Sequence, residues 1–496
     1  MKPIRLIGLT FVLGFGLGFS TGCQTTSTQS KTNYAAVIKK LDVAIRYEVE
    51  QKQLPAFSIS LVDQDQVVWA EGFGFQDADK KVPATAETVY RVGSISKLFT
   101  DIAVMKLVES GKIDLDAPIQ NYLPDFKPRN PHGIPITLRQ MMSHRSGLVR
   151  EPPVGNYFDP DEPSLAETVA SLNSTALVYK PGTKTKYSNA AIGVVGAALA
   201  GQLDVSHAEQ VRRTILSPLR MDSSSSIVTP AVEKKLAAGW MWTYDDRRFE
   251  APKFLLGTGP AGNLYSSVLD LSKFLFCLFD EGGTENGRIL QPESFRQMTT
   301  PLKDANGKPL GFGIGFRVRD FDGYKKIGHG GAVYGFSTQL EALPERQLGV
   351  AAVASLDGSN GVVSRLANYA LRLMMAEQDG KPLPAYRRTN PIPPQEAMKL
   401  AGMYREVEGK RFARIVELNG TVYMQRGTYR YQLRAATDDG SLLIDDPFSF
   451  GTVVKLQESG ELLVGNTAFK RLPDGPPTDI PERWLGLIGE YGWDHN

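Results

Sequence analysis

Three short runs in this 496-residue sequence place reactive side chains at spacings suited to covalent chemistry. The first is Arg91-Val92-Gly93-Ser94-Ile95-Ser96-Lys97. Apolar residues follow at 95, 98, 99, 102 and 105, a helical spacing that Gly111 ends, so Ser94 is expected at a helix N-terminus. Lys97 then lies one turn on, on the same face. The helix end favours negative charge developing near Ser94. An amine held against a hydroxyl in a desolvated pocket has its pKa lowered and can accept the hydroxyl proton. Alone, S-x-x-K is weak: chance supplies on the order of one or two matches in a chain this long. The bland alternative is an ordinary helix serine beside a solvated lysine. The second run is Lys186-Tyr187-Ser188-Asn189, before the Ala/Gly/Val-rich stretch Ala190 to Ala200 and after a turn at Pro181-Gly182. A tyrosine near a cation can give and take a proton, and Asn189 offers a donor and an acceptor to an amide or ester. A surface tyrosine with an N-cap asparagine is the alternative. The third run is Gly328-His329-Gly330-Gly331-Ala332, before strand-like Tyr334 to Leu340. Its glycines permit close approach of substrate to backbone, and a strand edge there could present the Ala332 N–H to an oxyanion. The α/β-hydrolase reading of His-Gly-Gly fails, because that loop precedes its nucleophile and no G-x-S-x-G occurs.

In the order S-x-x-K, Y-x-N, H-x-G, the sequence resembles the serine β-lactamase and penicillin-binding-protein superfamily, nearest the class C β-lactamase-like branch. The segments Ile136 to Leu148, Pro218-Leu219-Arg220-Met221 and Gly259 to Ser267 add to the likeness, which covers about residues 38–375. The resemblance implies a nucleophilic Ser94, with Lys97 and Tyr187 as a coupled proton-transfer pair in which either could be the base. It implies that Asn189 holds the acyl-side group, that the Ser94 and Ala332 N–H groups form the oxyanion hole, and that His329 and Gly331 shape the far wall. His144 and Ser146 are expected to serve structure. One departure matters: relatives often carry Lys-Thr-Gly where this chain has His329-Gly330-Gly331. A histidine is largely neutral near pH 7 unless its pKa is raised, which moves the expectation from penicillin hydrolysis towards esterase, amidase or D-amino-acid peptidase activity. Three readings follow. The first is a serine hydrolase acting on an ester or amide, including a D-amino-acid-containing peptide. The second is a β-lactamase or penicillin-binding DD-peptidase. The third is a non-catalytic envelope binding protein, against which the three intact motifs argue.

The elements that must position these residues read as an α/β unit, with a sheet flanked by helices and a large helical insertion. A helical pattern covers Tyr34 to Gln53, with strand-like runs at 57–62 and 67–70. A mainly helical stretch reaches about residue 300. Strand-like runs resume near Gly311 to Val318, Gln339 to Leu343 and Gly349 to Ala354, and a helix is expected over Val362 to Met375. Strands near both ends imply a sheet completed late by the returning chain. The hydrolase domain is placed at 34–379, a Pro-rich linker at 380–395 and a small all-β domain, a meander or barrel, at 396–473, from hairpin signals at Asn419-Gly420, Asp439-Gly440 and Ser459-Gly460. In the tail, 474–496, Leu487-Ile488-Gly489-Glu490-Tyr491 echoes Leu400-Ala401-Gly402-Met403-Tyr404, as though a second β repeat begins there; coincidence in a short pattern is the alternative.

Residues 1–23 read as an export signal. Lys2 and Arg5 open it, an apolar run too short and Gly-rich for a comfortable transmembrane helix follows, and Ser20-Thr21-Gly22-Cys23 resembles a bacterial lipoprotein site at which Cys23 is lipidated. A plain secretory peptide is the alternative, and Ser20 stands where leucine is usual. The polar stretch to residue 33 reads as a tether. The expected location is therefore exported, periplasm-facing or on the outer membrane, with membrane attachment through lipid on Cys23. The other cysteine, Cys277, lies in an apolar run and reads as a buried hydrophobe. The net charge is +2, and without Lys2 and Arg5 it is zero, which gives no basic stripe for nucleic acid. With five histidines and no ligand-spaced Cys/His cluster, no metal or cofactor is expected. The expected partner is a small-molecule or peptide substrate; oligomeric state is not legible.

Overall fold

The computed structural model describes residues 32–473, apart from 244–246, 286, 305 and 428. The export signal with Cys23, most of the tether and the echo at 487–491 lie outside the described residues.

Helix α1 (Ala35–Gln51) turns Val37, Leu41, Ala44 and Ile45 inward. Strand β1 (Ala56–Asp63) is buried on both faces, and β2 (Gln66–Asp77) and β3 (Val82–Pro83) follow it. The insertion contributes α2 (Ser96–Glu109), α3 (Leu165–Ser171), α4 (Asn189–Leu203), α5 (Gly259–Gly262) and α6 (Val268–Phe279). The chain then returns as β4 (Arg317–Phe321), β5 (Tyr324–Val333), β6 (Phe336–Leu343) and β7 (Leu348–Ala354), and closes with α7 (Asn360–Gln378). The sheet order is β4-β5-β6-β7-β1-β2-β3, with β7 antiparallel to β1 and Leu61 opposite Val350. The late return completes the sheet, as the strand pattern implies.

Alternation along β1 and β7 divides the core. Phe57, Ile59, Leu61, Val350 and Ala352 pack with α1 and α7, whereas Ala56, Val62, Ala351 and Val353 join the larger core around α2, α4 and α6. Two strand expectations are corrected. The run from Gly311 becomes strand only at Arg317, because Gly311 and Gly315 hold φ of +78° and +77°. Tyr334 lies outside the strand expected to begin with it: Tyr334-Gly335 form the turn between β5 and β6, with Gly335 at φ +78°.

After β8 (Thr389–Pro391) and α8 (Pro394–Leu400), eight antiparallel strands form a meander: β9 (Gly402–Glu406), β10 (Phe412–Leu418), β11 (Thr421–Arg426), β12 (Tyr429–Ala436), β13 (Leu442–Asp445), β14 (Phe450–Leu456), β15 (Glu461–Val464) and β16 (Thr467–Arg471). Each pairs with the next, and β16 pairs back on β9, so the sheet closes into a barrel around Tyr404, Ile415, Met424, Leu433 and Phe469. Closure leaves the barrel no free edge of its own.

The Pro-rich stretch before the barrel is packed chain. Lys40 donates to the Leu383 carbonyl at 2.9 Å, and the Tyr386 ring packs tilted at 4.8 Å from that of Tyr369 while its hydroxyl donates to Glu48 at 2.7 Å. Beside it lies a buried charge group joining barrel to sheet domain. Lys52 reaches Asp445 at 2.9 Å, and Arg365 reaches Glu48 at 2.7 Å and Asp445 at 3.5 Å. Both side chains of the Lys52–Asp445 pair are almost fully buried, at 2% and 1% exposure. Among the described residues, no helix is long and apolar enough to cross a membrane.

Candidate active site

Ser94 lies in a one-turn helix, Gly93–Ile95, that runs directly into α2. Two features fix this turn. The strand pair Tyr90–Arg91 and Tyr265–Ser266 leads into it, and the Ser96 hydroxyl donates to the Gly93 carbonyl at 2.6 Å while accepting from the Leu264 N–H. Gly93 sits at φ +55°, and a Cβ there would stand 2.8 Å from the Ala332 carbonyl oxygen. Glycine is therefore required both by backbone angle and by contact. A Cβ on Gly331 would meet the Val92 carbonyl oxygen at 2.0 Å. The glycines of the first and third motifs thus let the turn that carries Ser94 press against β5, bringing it against the Ala332 backbone. β5 can receive the turn because its pairing with β4 ends at Gly328, while its pairing with β6 continues through Ala332.

Lys97 is 1% exposed on α2. Its Nζ lies 2.9 Å from Ser94 Oγ and donates to the Ala261 carbonyl of α5 at 2.8 Å. The helix supplies the direction and the α5 carbonyl fixes the rotamer, so the amine is held on the hydroxyl. Nζ also stands 4.9 Å from the centre of the Tyr187 ring. Ser94 and Tyr187 remain half-buried, open to an incoming molecule.

The second motif sits at the start of α4. Ser188, not Asn189, is the N-cap: its hydroxyl accepts from the Ala191 N–H and donates to the Val149 carbonyl. Asn189 is the first helical residue, and its amide donates to Glu151 at 2.5 Å. Burial pushes the Glu151 carboxyl up, against the pull of Asn189 and Arg150. His144 packs against this motif. Its buried ring lies 4.2 Å from the Tyr187 ring, its Nδ1 accepts from the Ser188 N–H, and its carbonyl accepts from the Lys186 N–H at 2.8 Å. Burial first, and then the positive charges of Lys97, Arg317 and Arg150, hold its pKa well below the ordinary value.

His329 is buried in β5, with Nδ1 2.6 Å from the Gly330 carbonyl and its ring 6.0 Å from that of Tyr187. Burial, then Arg317, then Lys97 depress it to about 3. It is neutral across the physiological range and is not the cation that a Lys-Thr-Gly lysine would be. The structure instead brings Arg317 of β4 beside it, opposite Gly328, with its guanidinium 5.3 Å over the Phe312 ring. The arrangement gathers Ser94, Lys97, Tyr187, His329 and Ala332 into one place, with Asn189 tied to Glu151 alongside.

The sequence reading did not identify Arg317, Glu151, Ala261 or Asn360. Asn360 starts α7 and donates from Nδ2 to the Gly331 carbonyl at 2.7 Å. Its neighbour Gly361 lies under the barrel: a Cβ there would meet Phe448 backbone at 2.3 Å, and the Val362 N–H donates to Pro447. The barrel therefore seats the start of α7, whose Asn360 holds the third motif. No pattern signals Asn360 or Arg317, which touch the site only through folding. Among the described residues no cluster of His, Cys, Asp or Glu could hold a metal.

Comparison with known proteins bears on the family and the fold. The Beta-lactamase family model matches residues 41–373. Protein flp of Staphylococcus aureus is 24% identical over 320 residues, 64% of this chain, and the match spans 63% of that protein. The octameric penicillin-binding protein homologue from Pyrococcus abyssi superposes with a TM-score of 0.64 at 26% identity, over 87% of this chain and 99% of its own. The D-amino acid amidase from Ochrobactrum anthropi shares the fold, with a TM-score of 0.59 at 20% identity over 69% of this chain and all of its own. The chain belongs to the β-lactamase family, whose members are serine hydrolases.

Proposed function

We propose that the protein hydrolyses an ester or amide, including the amide of a D-amino-acid-containing peptide, through an acyl-enzyme on Ser94. The Ser94 hydroxyl gives its proton to the Lys97–Tyr187 pair as Oγ bonds to the substrate carbonyl carbon. The Ser94 and Ala332 N–H groups receive the developing oxyanion. Collapse breaks the bond to the alcohol or amine, which leaves with the proton, and water attacks the ester on Ser94 by the reverse route. Asn189, anchored by Glu151, orients the acyl-side group. The observation that supports this reading most is the Lys97 amine 2.9 Å from Ser94 Oγ, buried and fixed by the Ala261 carbonyl. The export signal and Cys23 extend the proposal to a lipid-anchored enzyme of the cell envelope.

Arg317 favours a second reading, a β-lactamase or penicillin-binding DD-peptidase. It supplies a positive charge beside His329, and its Nε is buried without a hydrogen-bond partner among the described residues. A substrate carboxylate would provide that partner. Turnover of p-nitrophenyl acetate, D-alanine amide and a chromogenic cephalosporin separates the readings. The first reading predicts turnover of the ester or the amide, lost in Ser94→Ala. The second predicts that Arg317→Ala raises KM for the cephalosporin carboxylate about tenfold or more, with the neutral ester unchanged. Undiminished turnover by Ser94→Ala refutes both.

A further inference from the structure

Asn360, which holds the Gly331 carbonyl, lies in a turn whose two nearest glycines are covered by the barrel. A Cβ on Gly358 would stand 2.3 Å from the Phe448 ring, and one on Gly361 would stand 2.3 Å from the Phe448 backbone. Both positions are bare because the barrel loop between β13 and β14 occupies that space. Gly358 also holds φ +63°. Glycine leaves a turn conformationally free, so Asn360 must be fixed by what packs on the turn. Phe448 is well placed to do this. Asp446, 4% exposed, holds the loop by accepting from the Phe448 and Ser449 N–H groups at 2.8 Å and from the Gln432 N–H of β12 at 3.1 Å. The Phe448 ring is 43% exposed and lies outside the barrel core, so it does not fill the barrel. Its contacts run instead to the sheet domain, where it packs 5.4 Å from the Trp242 ring. Trp242 Nε1 donates to the Asp357 carbonyl at 2.9 Å, and the Asp357 N–H donates to the Trp240 carbonyl at 2.8 Å. The turn before α7 is thus held by the short strand Trp240–Trp242 and by the barrel loop.

Asn360 carries this constraint to one rung of the sheet. Its Nδ2 donates to the Gly331 carbonyl at 2.7 Å, and its Oδ1 accepts from the Ser337 hydroxyl at 3.3 Å. Ser337 stands opposite Ala332 in the β5–β6 register, and its hydroxyl accepts from the Ser359 N–H at 2.9 Å. One side-chain amide therefore ties both strands where the proposed oxyanion donor sits. We infer that Phe448 is a positioning residue for the reaction: from the barrel it fixes Asn360, and through Asn360 the direction of the Ala332 N–H. The barrel then acts on the active site through the start of α7. The catalytic consequence rests on the acyl-enzyme reading above, whereas the positioning itself can be measured without turnover.

Two measurements on the full chain test this: amide hydrogen exchange read by mass spectrometry, and steady-state turnover of p-nitrophenyl acetate. Phe448→Ala should speed exchange in the peptide spanning Ile327 to Tyr334 at least about threefold. It should also lower kcat at least about fivefold, with KM within about twofold of wild type. Phe448→Tyr, which keeps the ring, should restore both. Asp446→Ala, which releases the loop from within the barrel, should reproduce both. Leu462→Val is the control for general barrel stability. Leu462 is buried in the barrel core and pairs with Leu456, at the far end of β14 from the loop. This variant should lower the urea midpoint and leave exchange and kcat unchanged. Wild-type exchange in Phe448→Ala overturns the positioning. Faster exchange with unchanged kcat overturns its catalytic consequence. Equal effects in Leu462→Val overturn the specific role of Phe448. Because exchange is read without substrate, failure here is distinct from failure of the acyl-enzyme reading, which would show as wild-type turnover that does not depend on Ser94.

Discussion

Replacing His329 by glutamine tests whether the third motif is electrically neutral, which decides how the site can hold an anionic substrate. The folded protein holds His329 near about 3, against an ordinary 6.5, chiefly through burial. The unfolded chain takes up a proton at this position as pH falls through about 6.5, while the folded chain resists until about 3. Between those values acidification favours the unfolded state, so the stability present above about 6.5 is progressively lost below it. Each unit of separation is worth about 1.4 kcal/mol. Between about pH 7 and about pH 4.5, the wild type should therefore lose about 2–3 kcal/mol more than His329→Gln, which cannot titrate. Other buried groups, including His144, Asp101 and Asp357, titrate in both proteins and cancel in the difference. The assay is urea denaturation of both proteins at the two pH values. An equal acid dependence, or a His329 ring resonance titrating near pH 6 by NMR, would refute the reasoning and return a cation to the third motif.

Two further substitutions probe the supports of the site. Asn360→Ala removes the donor to the buried Gly331 carbonyl; it should cost about 1–3 kcal/mol of stability and lower kcat for a small ester by about tenfold or more, with little change in KM, because the Ala332 N–H loses its fixed direction. An unchanged kcat would mean that Asn360 does not position the oxyanion strand. Lys52→Met leaves Asp445 without its closest cation in a fully buried setting and should cost about 3–5 kcal/mol in urea denaturation. A loss below about 1 kcal/mol would show that Arg365 and Arg434, whose Nε lies 3.8 Å from Asp445, suffice.

The placement of the three motifs was more legible than that of the residues that support them. Ser94 and Lys97 could be placed because α2 announces itself by periodicity and the pair needs only helical geometry. Tyr187 and Asn189 could be placed at a loop-to-helix junction because Pro181-Gly182 and the following alanines mark one. His329 to Ala332 were harder. A run of glycines has little strand propensity, so the sequence pointed to a strand after the motif when the motif is itself in β5. The closed barrel was legible as hairpins, because Asn419-Gly420 adopt the positive φ angles that such turns require. Arg317, Glu151 and Asn360 could not be found by any local rule. Each acts across a contact between segments distant in sequence, and an arginine on an edge strand looks in sequence like a solvated charge. The same holds for Lys52 and Asp445, nearly 400 residues apart, whose burial exists only once barrel and sheet domain meet.

The central claim is that Ser94 is a nucleophile made reactive by Lys97, and intact-protein mass spectrometry after treatment with a fluorophosphonate tests it most directly. The account predicts one covalent adduct per chain, mapped to the peptide containing Ser94, absent in Ser94→Ala and formed at least about a hundredfold more slowly in Lys97→Ala. An adduct on another residue, or labelling at the wild-type rate without Lys97, would contradict it.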